Sequence, residues 1–264
     1  MPLNTNAIQE ALTVILVAAA VYFSPGLVAA GLSQPTPRIV KASPSSVPEL
    51  EEVYGSSVQG RPLRAYVLGT GSNKTMVFGG FHGNERSVPG VLNTLHQYLD
   101  QHPEQWPNCT IILVPCANPD GWAADTRVNA RQIDINRNFP ARTWKAAKRA
   151  VRNNPGLYAD SEPETQAVIR LVKKYGPTKI ISIHQPLHLL NWTGIPGKRL
   201  ARVMQKANGY RLTDNVGYPT PGSFGDYCGE RSIAVVTLEL PNQSAAGAWA
   251  KNREALLAAF KAST

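Results

Sequence analysis

Met76-Val77-Phe78-Gly79-Gly80-Phe81-His82-Gly83-Asn84-Glu85 opens as an apolar run and closes on a histidine and a glutamate three residues apart. The run reads as a buried strand and the two Gly as its exit into a loop. At such a point an imidazole nitrogen and a carboxylate can share one metal ion. A catalytic zinc site needs three protein ligands and an open fourth position. Taken alone the pair is weak, because a surface His and a surface Glu give the same pattern.

The segments around it decide the fold class. Short runs rich in Val, Ile and Leu predict strands at 63–69, 75–81, 110–115, 178–183 and 234–240. Helices are predicted at 87–100, 162–175, 197–208 and 244–261. The second has a Ser161–Glu164 capping-box pattern, Pro163 in its first turn and Gly176 after its last. Strands alternating with helices predict an α/β fold: a single-domain mixed, largely parallel twisted sheet with helices on both faces. Ligands collect at the carboxyl ends of such strands. His82, Asn118, His184 and Glu239 all fall at predicted strand ends.

Ile180-Ile181-Ser182-Ile183-His184 offers the third metal ligand; a core histidine with a backbone partner is the plainer alternative. His96 falls within a predicted helix, His102 in a polar loop, and His188 four residues past His184. Asp134-Ile135-Asn136-Arg137-Asn138-Phe139 is the next segment. Arg137 and Asn136 can clamp a carboxylate, since guanidinium binds one through two parallel hydrogen bonds. Asp134 can receive the second N–H of a metal-bound histidine. Arg131 is placed to stabilise a developing oxyanion. An Asp–Arg surface loop is the competing reading, and Asn118-Pro119-Asp120-Gly121 reads as a tight turn.

Tyr218-Pro-Thr-Pro-Gly-Ser-Phe-Gly-Asp-Tyr227 is dense in Pro and Gly, as an ordinary surface loop or one that closes over a substrate would be. In Ala234-Val235-Val236-Thr237-Leu238-Glu239-Leu240 one carboxylate interrupts an apolar strand. It is either exposed on an edge or held at the site as a general base, because burial without a partner is costly.

Bulk properties narrow the classes. The 264 residues suit one large domain or two small ones, and a 43% hydrophobic content supplies a core. Net charge is +9, partly from Arg142, Lys145, Lys148, Arg149 and Arg152, whose spacing reads as a solvated helix face. No nucleic-acid motif accompanies that run, so no nucleic-acid partner is expected. Cys109, Cys116 and Cys228 include no CxxC. The first two bracket one predicted strand, roughly 20 Å apart, too far to bond. From Ala11 to Gln34 no residue is charged, and Val28-Ala29-Ala30 offers small residues of the kind signal peptidase accepts. Residues 1–32 are read as a signal peptide or membrane anchor, with anchoring through residues 11–33. Residues 33–48 form a Pro/Ser-rich linker and 49–264 the catalytic domain. An exported, periplasmic or tethered protein is therefore expected. The alternative is a cytoplasmic one with a buried N-terminal helix, because no Lys or Arg precedes Arg38 and Glu10 sits where a positive charge belongs.

Taken together, His82…Glu85, Asn118-Pro-Asp-Gly, Asp134-x-Asn-Arg-Asn-Phe, Ser182-Ile-His184, Tyr218 and Glu239 resemble the zinc metallocarboxypeptidases, over about residues 48–262. Ser57-Val-Gln-Gly-Arg61-Pro62 resembles the segment that opens their catalytic domain. Within that family the likeness is to the murein peptide amidases, carried by Asn129–Pro140 and by Gly217-Tyr-Pro-Thr-Pro-Gly-Ser-Phe-Gly…Cys-Gly-Glu-Arg…Leu-Glu-Leu-Pro. The resemblance implies one zinc on His82, Glu85 and His184. It implies Asn136 and Arg137 on a free C-terminal carboxylate with Tyr218 over it, Arg131 at the oxyanion, and Glu239 as base and acid. The implied partner is a small cell-wall peptide losing meso-diaminopimelate from γ-D-glutamyl-diaminopimelate. Two features depart from the family: Asn84 replaces the digestive members' Arg, and an apolar segment leads the chain. Gly225, at the position that sets the digestive enzymes' pocket floor, provides no charge there; Asp226 is its neighbour. An aspartoacylase or succinylglutamate desuccinylase-like zinc deacylase shares the His-Gly-Asn-Glu motif and is the alternative, followed by an inactive binding module.

Overall fold

The computed structural model describes residues 37–38, 49–146 and 151–263. The expected N-terminal segment at 1–32 and all but two residues of the linker at 33–48 lie outside the described residues. Among the described residues no helix is long and apolar enough to cross a membrane.

Eight strands form one sheet: β1 (Glu49–Ser56), β2 (Pro62–Leu68), β3 (Asn73–Phe78), β4 (Cys109–Val114), β5 (Lys179–His184), β6 (Leu189–Thr193), β7 (Arg211–Thr213) and β8 (Ala234–Glu239). Their order is β1-β2-β4-β3-β5-β8-β6-β7. The central four, β4-β3-β5-β8, are parallel, while β1, β2 and β6 join antiparallel. The five predicted strands are all present. β1, β6 and β7 carry no unbroken apolar run, because they lie toward the sheet edges where one face or one side meets solvent.

The helices are α1 (Val88–Gln101), α2 (Pro119–Ala124), α3 (Pro163–Tyr175), α4 (Gly194–Asn208), α5 (Phe224–Gly229) and α6 (Ala245–Lys261). They cover both faces. Val77, Ile181, Ile183, Val236 and Leu238 point to α1, α4 and α6. Met76, Phe78, Ile180 and Val235 point to α3 and α5. This is the period of two expected of strands buried on both sides. It also places Ser182 and His184 on the face of Ile180, and Thr237 and Glu239 on the face of Val235.

Three local expectations change. Glu162, not Ser161, precedes α3 and makes no side-chain cap. Ser161 Oγ donates to Glu162 (2.8 Å), and Glu164 accepts from Val58 N (3.0 Å) and Asn129 Nδ2 (3.1 Å). The capping box gives way because buried polar groups of the loops need those carboxylates. Pro163 and the left-handed Gly176 bound α3 as expected. Arg142 and Lys145 lie in irregular chain, not on a helix. Arg142 N donates to Glu230 (2.8 Å) and Thr143 Oγ1 to Asp226 (2.6 Å), which ties the segment to α5 instead. Asn118-Pro-Asp-Gly begins the short helix α2, with Asn118 capping Gly121 N at 2.9 Å.

All three cysteines are buried and free, with Cys109 opening β4 and Cys116 two residues past its end. Burial pushes the Cys116 thiol up to about 12, so it stays protonated.

Candidate active site

The carboxyl ends of β3, β4, β5 and β8 meet at one edge of the sheet, and the site is built there. The β3 exit runs beside that of β4: Gly79 N donates to Val114 O (2.8 Å), Ala117 N to Gly79 O (3.0 Å) and Asn118 N to Gly80 O (2.9 Å). Gly83 then packs on α2 so closely that a Cβ would lie 1.9 Å from the Gly121 carbonyl carbon. Asn118 Nδ2 holds Phe81 O at 3.2 Å. Asp120 accepts from Ser57 Oγ (2.7 Å), Gln59 N (2.9 Å) and Arg61 Nη1 (2.6 Å), so the Ser57–Pro62 turn is fastened to the same helix. The loop that carries His82 and Glu85 is fixed by its neighbours. His184 and Glu239 need no loop, since they pair across the last register position of β5 and β8.

His82, Glu85 and His184 are buried, with one donor atom from each within 4.8 Å of the others. The two Nδ1 atoms stand 3.2 Å apart, and Glu85 Oε1 is 2.7 Å from His82 Nδ1 and 3.4 Å from His184 Nδ1. Nitrogens about 2.0–2.1 Å from a tetrahedral zinc lie about 3.3 Å from each other, so this donor set fits that ion. Each Nε2 faces away from the cluster. His82 Nε2 is 3.3 Å from Asp134 Oδ1, and His184 Nε2 is 3.0 Å from Ser182 Oγ and 3.5 Å from Asn136 Nδ2. Such partners orient ligand imidazoles.

Electrostatics agree with a cation site. Burial alone would raise the Glu85 pKa, but the His82 and His184 rings outweigh it and bring it to about 2. Burial would lower the His82 pKa, yet Glu85 and Asp134 raise it. Glu239 is raised by burial, with Glu85's charge adding to the effect, so it holds its proton more tightly than an exposed glutamate.

The cluster lies in a cavity of about 410 Å³. Of the expected residues, His82, Glu85, Asn136, Arg137, His184, Tyr218 and Glu239 line it, and Asp134 supports it from behind. Arg137 is buried and donates to Asn136 O at 2.7 Å; Asn136 Oδ1 accepts from Phe224 N at 2.9 Å. Tyr218 is 47% exposed on its loop. Gly225 and Asp226 both line the cavity, with Asp226 accepting from Thr143.

Arg131 is the exception. Its side chain is 55% exposed, outside the cavity, and pairs with Glu162 at 3.7 Å. Asn129 Oδ1 accepts from Arg131 N and Ile133 N, and Gln132 takes a left-handed φ of 63°. This tight turn directs Arg131 away from the metal cluster. Arg127 lines the cavity and borders the cluster. Its Nη1 is 3.3 Å from His82 Nδ1, and Nε and Nη2 each meet Asp134 Oδ2 at 3.0 Å. Nothing in the sequence distinguishes Arg127 from other loop arginines. Ser182 could have been found by its two-residue offset from His184. Asn84 is exposed, and Arg86 stacks on Trp122 rather than entering the cavity.

The sequence profile of the zinc carboxypeptidases matches residues 38–194. The fold and its buried His–Glu–His cluster define a zinc metallopeptidase, and the chain belongs to the zinc carboxypeptidase family. It is 32% identical over 217 residues to murein peptide amidase A of Escherichia coli (strain K12), covering 76% of this chain and 85% of that one. It is 33% identical over 218 residues to murein peptide amidase A of Vibrio campbellii, covering 78% and 85%. Among solved structures, murein-tripeptide amidase from Escherichia coli O157 superposes with a TM-score of 0.67 at 32% identity, over 81% of this chain and 93% of that one. Bovine thrombin-activatable fibrinolysis inhibitor bound to tick carboxypeptidase inhibitor gives 0.70 at 21% identity, over 81% and 88%, a likeness of fold. The chain is thus a zinc-dependent hydrolase, and the deacylase alternative is not favoured.

Proposed function

We propose that this enzyme is an exo-acting murein peptide amidase that releases meso-diaminopimelate from γ-D-glutamyl-diaminopimelate cell-wall peptides. The observation that carries the reading is Arg137, a buried guanidinium lining the same cavity as His82, Glu85 and His184. An amidase that acts only at a free carboxyl terminus needs such a group in the cavity that holds the reacting bond. The relatives called murein peptide amidase A, matched over 85% of their length, supply the substrate class.

Under this reading the residues take the following roles. Arg137 and Asn136 take the substrate's terminal carboxylate and Tyr218 closes over it. His82, Glu85 and His184 hold zinc, whose contribution when bound is Lewis-acid polarisation and a lowered water pKa. Glu239 takes the proton of the attacking water and delivers it to the leaving amine nitrogen. Arg127, beside the His82 ring, faces the carbonyl oxygen as negative charge develops on it. Asp134 fixes both His82 and Arg127.

The test is hydrolysis of L-Ala-γ-D-Glu-meso-diaminopimelate, the same peptide with its terminal carboxylate amidated, and N-acetylaspartate. Release of diaminopimelate from the first alone is expected, abolished by chelator. Fast cleavage of the amidated peptide would refute the exo-acting reading, and cleavage of N-acetylaspartate alone would favour a deacylase.

We further infer that the protein is exported or tethered to a membrane. The support is the uncharged Ala11–Gln34 stretch followed by the Pro/Ser-rich 33–48 segment. Residues 1–45 fused to a reporter active only outside the cytoplasm should give signal. Its absence would favour a cytoplasmic enzyme.

A further inference from the structure

We propose that Arg152 recognises the free α-carboxylate of the γ-linked residue on the amino side of the scissile bond. The inference rests on the amidase reading above and adds to it the feature that selects γ-linked over α-linked peptides.

Besides Arg137, two arginines line the cavity, Arg127 and Arg152. Their circumstances differ. Arg127 gives its Nε and Nη2 to the buried Asp134 carboxylate and holds Nη1 beside His82, so its donors are committed to the metal cluster and the reacting carbonyl. Arg152 is exposed at the cavity wall, and among the described residues its side chain has no hydrogen bond or ion pair. Its main chain is nonetheless firmly placed. Arg152 O accepts from Arg127 Nε at 3.0 Å, Asp134 N donates to Asn154 O at 2.9 Å, and Asn154 Nδ2 donates to Gln132 O at 3.1 Å. The segment carrying Arg152 therefore shares one frame with Asp134 and Arg127. An exposed guanidinium on a fixed backbone at the wall of this cavity suits a substrate-binding group.

The chemistry of the linkage supplies the ligand. In an α-linked peptide the residue before the scissile bond has its α-carbon attached to the reacting carbonyl, and its backbone bears no charge there. In a γ-D-glutamyl linkage the reacting carbonyl is the side-chain one, and a carboxylate remains on the α-carbon. Four bonds separate that carboxylate carbon from the reacting carbon, about 5 Å when extended. The substrate then carries two anions, one on each side of the metal. Arg137 is placed for the terminal one. For the other, Arg152 offers a guanidinium fork with no partner to displace among the described residues.

The experiment compares L-Ala-γ-D-Glu-meso-diaminopimelate with its D-isoglutaminyl counterpart, in which only that α-carboxylate is amidated. Wild type should prefer the carboxylate form about tenfold in kcat/KM, as one charge-assisted hydrogen bond to an exposed guanidinium allows. In Arg152→Ala and Arg152→Gln the preference should fall to within about twofold, mostly through KM, and Arg152→Lys should keep part of it. Kd values of both peptides for the hydrolytically inactive Glu239→Gln protein should show the same ratio and the same collapse on adding Arg152→Ala. Tm and zinc content report folding separately. Equal cleavage of the two peptides by wild type, or a full preference retained without Arg152, would overturn the assignment while leaving the amidase reading intact. If wild type cleaved neither peptide but did cleave an α-linked C-terminal residue, the amidase reading would fall and this one with it.

Discussion

Replacing Arg127 with alanine, and separately Arg131, decides which guanidinium serves the transition state. Arg127 Nη1 lies 3.3 Å from His82 Nδ1, within reach of the carbonyl oxygen of a bond held at the metal. Removing one oxyanion donor costs about 10²–10³ in kcat, or about 3–4 kcal/mol. Arg127→Ala should lose that much in kcat with a smaller change in KM. It also removes two hydrogen bonds from Asp134, which is fully buried but keeps His82 and Asn136 N. The stability cost should be about 1–3 kcal/mol. Arg131 forms a largely exposed pair with Glu162 at 3.7 Å, worth under about 1 kcal/mol. Arg131→Ala should stay within about threefold of wild type in kcat/KM. Steady-state release of diaminopimelate, zinc content and Tm on the same preparations separate chemistry from folding, and added guanidinium should partly restore Arg127→Ala alone. A hundredfold loss in Arg131→Ala, with more than about a tenth of activity kept in Arg127→Ala, would refute the reasoning.

Three further outcomes are expected. Glu239→Gln should keep zinc and fold while losing about 10²–10⁴ in kcat. In metal-free protein the raised pKa of Glu239 means that the charged form is disfavoured by folding, so the contribution to stability falls as pH rises from the unfolded pKa through the folded one. Metal-free Glu239→Gln should then be at least as heat-stable as wild type at neutral pH; a clearly lower Tm would contradict this. His184→Ala should bring zinc from about one per chain to near none, read by elemental analysis. In wild type, zinc should be released as pH falls, because the ligand imidazoles bind it only in their neutral form. Gly83→Ala should destabilise by about 1–3 kcal/mol and weaken zinc retention, because its Cβ would collide with the Gly121 backbone; unchanged chelator sensitivity would show that the Gly83–Gly121 contact does not set the ligand loop.

The central parallel strands, the long helices and the metal cluster were legible in the chain because each is written locally. Buried parallel strands are short apolar runs, and the two-residue period that directs Ile180 and Val235 toward α3 and α5 also places His184 and Glu239 in the cavity. The ligand spacing His82-x-x-Glu85 needs only one turn of loop. Tertiary structure decided what no local pattern carries. It put Arg127 beside His82 and left Arg131 exposed against Glu162, with Asn129 and the left-handed Gln132 turning the chain around Arg131. It took Ser161 and Glu164 away from a helix cap to satisfy groups more than 20 residues distant. It kept Arg142 and Lys145 off a helix by bonding their segment to α5. Edge strands β1 and β7, and β6 between β8 and β7, formed from weakly patterned sequence, since a strand with a ready partner gains its hydrogen bonds whatever its apolar content. Hydrophobic period and metal-ligand spacing are properties of neighbours in sequence. The direction of a long polar side chain is set by the partners that folding brings to it.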